Sequence, residues 1–155
     1  MERNPVIELR NVAVFHSAKP GSSNPRKRGE MVVSGVNLTV CEGEMVYLIG
    51  KVGSGKSSLI KTLYAEVPLI EGEGRIVGFD LRHMKRRDVS RLRRSIGIVF
   101  QDYQLLSDRD VFGNLHYVMK ATGWRNETDM RRRIEEVLSV VGLESNAFKM
   151  PFELS

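Results

Sequence analysis

The residues in this sequence best suited to chemistry form one short run that is rich in glycine. The run consists of Gly50, Lys51, Val52, Gly53, Ser54, Gly55, Lys56 and Ser57, followed by Ser58. Glycines at this spacing let the backbone turn so tightly that its N–H groups can converge on phosphate oxygens. The ammonium of Lys56 would reach the outer phosphates, and the hydroxyl of Ser57 would hold Mg²⁺. The pattern therefore predicts a loop that binds a nucleoside triphosphate with magnesium.

Two flanking segments would have to position this loop. Residues 45–49 form an apolar run that predicts a buried strand, and residues 58–64 predict a helix. The helix would direct the positive end of its dipole at the bound phosphates. A strand before the loop and a helix after it are the context that such a phosphate-binding loop requires.

Composition and charge narrow the class of protein. The chain has 155 residues, 41% of them hydrophobic, which is enough for one domain with a buried core. It contains no run of about 18 apolar residues, which argues against a transmembrane helix. Residues 1–5 lack the apolar stretch of a secretory signal. The single Cys41 cannot form an internal disulfide, which fits a reducing compartment.

The net charge of +5 is concentrated in residues 82–94. This segment holds one acid, Asp88, against seven basic residues: Arg82, Lys85, Arg86, Arg87, Arg91, Arg93 and Arg94. No aromatic residue interleaves the charges for base stacking, so we expect no specific nucleic-acid binding. A solvated helix face is the favoured interpretation, and a surface that faces a membrane is the next.

Periodicity and breaker residues outline the remaining elements. They predict strands at residues 6–15, 32–33, 36–40, 75–79 and 96–100, a turn at 71–74, and a polar loop at 17–29. They also predict helices at residues 88–94, 110–121 and 128–141, the last with an apolar stripe of Met130, Ile134, Val137, Leu138 and Val141. Antiparallel strands, a phosphate loop between strand and helix, and a helical piece together indicate an α/β fold.

Two further segments resemble a known family. Residues 98–106, with Gln101 directly after the apolar run, resemble the Q-loop of ATP-binding cassette (ABC) proteins. Residues 151–155 resemble the approach to the signature LSGGQ, of which only Leu154 and Ser155 are present. Within the ABC proteins, residues 100–111 are similar to the Q-loop of the FtsE family of cell-division cassettes. The resemblance covers nearly the whole chain except residues 17–29, which look like an insertion.

The resemblance implies a fold, namely the ATP-binding domain of the ABC ATPases, which are α/β proteins of the P-loop NTPase class. Residues 1–155 would be a single domain that is truncated at its C-terminal side. Residues 1–100 would form the antiparallel β subdomain and the P-loop core, and residues 101–155 the Q-loop and the start of the helical subdomain. The missing part would carry the carboxylates that hold Mg²⁺ and activate water. We therefore expect this chain alone to be inactive and to be a fragment of a longer protein.

The resemblance also implies roles for residues. Residues 50–58 would bind ATP, and Gln101 would lie near Mg²⁺ and the attacking water, where it would sense the γ-phosphate. Ser57 and Gln101 would thus contact the metal. Phe15 would stack on adenine, with His16 as the alternative, although Phe15 could equally be a packed aromatic at a strand end. Asp80 is set aside as a metal ligand because it lies in the predicted small antiparallel sheet.

For the complete protein, the resemblance implies an ATPase that works as a homodimer or paired cassette. It would drive an integral membrane partner, an FtsX-like permease or a transporter, from the cytoplasmic face of the cell membrane. Two alternatives stay open from the residues alone. One is another P-loop NTPase, such as a small nucleotide kinase, with Asp102 as the metal carboxylate. The other is a non-enzymatic, nucleotide-dependent binding module that uses residues 82–94.

Overall fold

The structure, a computed structural model, describes residues 4–16 and 29–154. Residues 17–28 of the polar loop predicted at 17–29, and Ser155, lie outside these residues. The described chain divides into two units, one running to Gly97 and the other starting at Ile98. None of the described helices is both long and apolar enough to cross a membrane.

A four-stranded antiparallel sheet organises the first unit. Its strands are β1 (Pro5–Phe15), β2 (Met31–Cys41), β3 (Glu71–Ile76) and β4 (Phe79–Asp80), in the order β2-β1-β3-β4. Strand β1 pairs with both neighbours, and its Leu9 lies opposite Leu38 on one side and Gly74 on the other. The central strand therefore carries most of the pairing in this unit.

Two helices pack against the sheet. Helix α1 spans Lys56–Leu63 and helix α2 spans Arg86–Ser95. One apolar core joins the sheet to both helices. Its members are Leu9, Val12, Val14 and Ile76 from the sheet, Leu59 and Leu63 from α1, Leu92 from α2, and Leu69 and Leu81 from the connecting segments. Burial of these side chains is the main favourable term that holds α1 against the sheet.

Strand pairing corrects several predictions made from local sequence. The turn predicted at residues 71–74 is wrong, because these residues pair with β1 as the first part of β3. The strand predicted at 75–79 is interrupted at Val77 and Gly78, whose φ angles of 45° and 81° turn the chain from β3 into β4. The two short strands predicted around Gly35 are one continuous strand, β2.

The strands predicted at residues 45–49 and 96–100 do not form. The side chains of residues 45–49 are all exposed, with Ile49 at 88%. In residues 96–100, Val99 is 92% exposed, while Ile96, Ile98 and Phe100 are half-buried. A strand is stable only when its backbone N–H and C=O groups find partners on another strand. Within the described residues neither segment has such a partner, so an apolar run alone does not fold them.

The second unit is helical. Helix α3 spans Val111–Ala121 and helix α4 spans Glu127–Val140, followed by short 3₁₀ turns at Glu144–Asn146 and Pro151–Glu153. The Asp110 side chain accepts a hydrogen bond from the Gly113 N–H and caps α3, and Asn126 caps α4 in the same way. Both predicted helices are confirmed within one residue at each end.

The predicted stripe on α4 is confirmed in its centre. Met130, Ile134 and Leu138 are almost completely buried, as the helical spacing predicts. Val141 is 59% exposed because the helix ends at Val140, and Gly142 then turns the chain with a φ of 70°. The prediction that Val141 belongs to the buried stripe is therefore wrong.

Replacing Gly72 by alanine tests the tight contact between β3 and β1. Its φ is 86°, and an added Cβ would lie 2.4 Å from the Asn11 carbonyl oxygen. Because backbone atoms cannot yield as a flexible side chain can, we expect Gly72→Ala to lower the free energy of unfolding by about 3 kcal/mol or more. Chemical denaturation followed by circular dichroism measures this loss.

The matched control is Gly78→Ala. Gly78 has a similar φ of 81°, but its added Cβ would meet nothing within 4 Å. Only the backbone strain remains, at about 1 kcal/mol. Equal losses in the two variants would show that the close approach of β3 to β1 does not exist.

Candidate functional site

The glycine-rich run forms a turn at the start of α1. Gly55 is the N-cap of the helix, and Gly53 and Gly55 both adopt left-handed backbone angles, with φ of 80° and 84°. The N–H of Ser54 donates to the Lys51 carbonyl over 3.2 Å and closes the turn. The loop predicted from glycine spacing thus takes the strained conformation that only glycine adopts at low cost.

Strand β2 fixes this turn from one side. A Cβ added at Gly55 would lie 3.0 Å from Val32 Cγ1 and 3.2 Å from Val33 Cβ. Gly55 is itself buried, and Leu59 and Leu63 continue the contact of α1 with the core. The start of the helix therefore has a defined position over the sheet.

The side chain of Lys56 folds back onto the loop. Its ammonium donates to the Gly50 carbonyl over 2.8 Å and to the Lys51 carbonyl over 2.7 Å. Both acceptors are neutral, and none of the salt bridges among the described residues involves Lys56. Such an ammonium can exchange carbonyl oxygens for phosphate oxygens, which bind it more strongly.

A small cavity of about 140 Å³ opens at the same place. It is lined by His16, Val32, Gly53, Ser54, Gly55, Lys56, Ser57 and Ser58. In the part of the chain that the structure describes, no side chain caps the N-terminus of α1, so the positive end of the helix dipole faces this region. Backbone amides, one ammonium and the exposed Ser57 hydroxyl fit a phosphate group with an associated cation.

The two candidates for adenine stacking are placed differently. His16 lines the cavity and is exposed. Its backbone N–H donates to the Glu30 carbonyl over 2.9 Å. Phe15 is half-buried at the end of β1, opposite Met31. The role of either residue in binding a base stays a prediction.

Gln101 and Asp102 lie in the second unit, in an exposed turn. The next two residues, Tyr103 and Gln104, have left-handed φ angles of 55° and 48°. The described residues contain no group of three or more His, Cys, Asp or Glu side chains that could hold a metal ion. Contacts of Gln101 with Mg²⁺ and with water, and a metal role for Asp102, stay predictions.

The carboxylate of Asp80 is occupied within its own turn. It accepts hydrogen bonds from the N–H groups of Arg82, at 2.9 Å, and His83, at 3.2 Å. The His83 imidazole lies 3.0 Å away and, with these N–H groups, holds the pKa of Asp80 below its ordinary value. Asp80 lies in β4, as expected when it was set aside as a metal ligand.

Sequence reasoning missed how the C-terminal end of α1 is held. The Glu66 carboxylate accepts from the Lys61 ammonium and the Tyr64 hydroxyl, each over 2.8 Å. These two bonds lower the pKa of Glu66. From α2, Arg93 donates to the Tyr64 carbonyl over 3.0 Å. No short sequence pattern signals the contact between Arg93 and Tyr64, because it joins the residue after α1 to a different helix, α2.

Comparison with known proteins gives the family. The family model described as ABC transporter matches residues 33–155. A cell division ATP-binding protein, FtsE, from Streptococcus pneumoniae is 42% identical over 150 residues, which are 97% of this chain and 60% of that protein. A methionine import ATP-binding protein, MetN, from Carboxydothermus hydrogenoformans is 36% identical over 131 residues, 84% of this chain and 39% of that protein. The chain thus spans 60% or less of the length of these relatives.

A solved structure agrees in fold. It is described as a dimeric, post-hydrolysis state of an ATP-binding cassette bound to ADP and Pi. The match has a TM-score of 0.77 and 27% identity, and it covers 96% of this chain and 63% of that chain. The predicted fold class, that of an ATP-binding cassette, is confirmed.

Acid should weaken the support at the end of α1. Because the folded protein holds the pKa of Glu66 below the ordinary 4.5, its stabilising contribution is present above pH ~4.5. That contribution disappears as the pH falls through the lowered folded pKa. We expect Glu66→Gln to melt below wild type at neutral pH and the difference in Tm to vanish under acid conditions. The effect is modest because solvent reaches this carboxylate.

Glu42→Gln is the control, because its carboxylate pairs with no cation among the described residues. Melting curves of wild type and both variants across the acid range measure the effect. A Tm difference for Glu66→Gln that stays constant with pH would contradict the assignment.

Proposed function

This chain belongs to the ABC transporter family, and from that premise we propose that it forms the ATP-binding part of a cassette ATPase. Residues 50–58 bind the triphosphate of ATP in this proposal. The observation that carries it is the Lys56 ammonium, held by two neutral carbonyls beside an uncapped helix start and a cavity. The position of this charge is suited to β- and γ-phosphate oxygens.

Mg²⁺ accompanies the nucleotide in this proposal, and Ser57 supplies a hydroxyl ligand. The hydroxyl is exposed at the cavity. Bound Mg²⁺ would neutralise charge that develops on the phosphates during transfer. Gln101 would lie near the metal and orient the attacking water, which is the role that its place in the Q-loop implies. The position of His16 at the cavity favours it over Phe15 as the neighbour of the base.

The complete protein, in this proposal, works as a pair of cassettes, and the dimeric form of the solved relative supports this. ATP hydrolysis by the pair drives an integral membrane protein of the FtsX kind. This choice is supported by several relatives that are named cell division ATP-binding protein FtsE. A transporter partner is the second candidate, supported by the methionine import relatives. Either partner would hold the cassette at the cytoplasmic face of the membrane.

A small nucleotide kinase is no longer a competitive interpretation. The family model runs from residue 33 to 155 and therefore includes the segment around Gln101 and Asp102. A nucleotide-dependent module without catalysis would share the loop geometry, so kinetics must separate it from an ATPase.

Removal of the Lys56 charge should weaken nucleotide binding. A charge-assisted hydrogen bond contributes about 1.5–3 kcal/mol, so Lys56→Ala should bind Mg-ATP about 10- to 100-fold more weakly. Isothermal titration calorimetry on the full-length protein measures the change. Lys61→Ala is the control, since it removes a lysine from the same helix whose partner is Glu66. Unchanged affinity in Lys56→Ala would place the nucleotide elsewhere.

Gln101 should matter for turnover more than for binding. We expect Gln101→Ala in the full-length protein to lower kcat at least about tenfold, because water is no longer oriented. Its Mg-ATP affinity should change by less than about threefold. Asp102→Ala should affect kcat less. The reverse order would favour a metal-binding carboxylate at Asp102, and equal, negligible effects would favour a module without catalysis.

A further inference from the structure

Helix α2 has two chemically different sides. Leu92 is completely buried in the core, and Met84 and Ile96 pack beside it. The outward side is exposed and carries, with the residue before the helix, five cations: Lys85, Arg86, Arg87, Arg91 and Arg94. We call these five residues the cationic face. Ser90 is the other exposed residue on that side, so the face carries no apolar side chain.

Within the described residues, the cationic face has a single nearby carboxylate, that of Asp88. Among the described residues, no carboxylate lies within salt-bridge distance of Arg86, Arg87 or Arg94, and Arg91 reaches Asp88 only at 3.9 Å. Asp88 also accepts the Lys85 N–H at the start of the helix. The two other arginines of residues 82–94 donate to backbone carbonyls, Arg82 to that of Gly72 and Arg93 to that of Tyr64. The charge of this face is therefore available to an external anion.

Helix α4 shows what a compensated arginine surface looks like in the same chain. Arg132 lies 3.0 Å from Asp129, and Arg133 lies 3.1 Å from Glu136. Both helices expose arginines, but α4 has two close arginine–carboxylate pairs at i±3 spacing, whereas α2 has a single such pair, Arg91 with Asp88, at the longer distance of 3.9 Å. The imbalance on α2 is thus a property of that face and not of arginine-rich helices in this protein generally.

From this imbalance we propose that the cationic face of α2 docks onto the anionic headgroups of a lipid surface. Arg87, Arg91 and Arg94 follow one side of the helix over about 10 Å, which presents their charges in a row to a flat array of phosphates. With no apolar side chain on that side, the helix rests on the headgroups and does not insert. The binding is therefore electrostatic and sensitive to salt.

Nucleic acid fits this face less well. The helix carries no aromatic residue for base stacking. The proposal goes beyond the nucleotide function and does not use the loop at residues 50–58. Its failure would leave the ATP-binding assignment untouched.

The test compares two double variants of the full-length protein that lose equal charge. Arg87→Gln with Arg94→Gln removes uncompensated cations from the face, and Arg132→Gln with Arg133→Gln removes paired cations from α4. Sedimentation with phosphatidylcholine vesicles that contain phosphatidylglycerol measures partitioning, against vesicles of phosphatidylcholine alone. Each surface cation contributes roughly fivefold, so the α2 variant should partition at least about tenfold more weakly. The α4 variant should stay within about twofold of wild type.

Three results would overturn the proposal. Wild-type protein could partition equally onto vesicles with and without phosphatidylglycerol, or both double variants could lose binding equally. The third such result is wild-type protein that binds duplex DNA through the cationic face more tightly than it binds the vesicles at the same salt concentration. Far-UV circular dichroism of both variants checks that helix content is kept, which is expected because all four arginines are exposed.

Discussion

The left-handed turn at Gly55 is the constraint on which the candidate site depends. Its φ is 84°, and it lies so close to Val32 and Val33 that an added Cβ would crowd both, which fixes where α1 begins relative to β2. Lys56 is the first residue of the helix, and its ammonium lies back over the loop at the Gly50 and Lys51 carbonyls. One steric condition therefore sets the direction of the helix dipole and the position of the charge together.

The antiparallel sheet makes that condition possible. Strand β1 lies at its centre, and the close approach of β3 at Gly72 and Gly74 lets the core close around Leu9. Leu59 and Leu63 anchor the middle and end of α1 in this core, while Arg93 and Glu66 hold the end of the helix through polar contacts. The loop is thus supported by the packing of the whole unit.

The sequence was informative where a signal is local. Glycine spacing predicted the loop, and capping residues with helical periodicity predicted α3 and α4 within one residue. It failed at residues 71–74, because glycines that permit close strand approach look the same as glycines that permit a turn. The hydrogen bond from Arg93 to the Tyr64 carbonyl and the placement of His16 at the cavity depend on tertiary packing, which no local pattern encodes.

The apolar runs at 45–49 and 96–100 failed for a different reason, which bears on the site itself. Hydrophobicity predicts that a segment will be buried, but pairing decides whether it becomes a strand. In the described residues the loop is fixed from its helix side, through Gly55 and Lys56, while residues 45–49 before it stay exposed. A strand that pairs with residues 45–49 would fix the loop from its other side as well. Phosphate binding favours the same ordered loop, so strand pairing and phosphate binding would then reinforce each other.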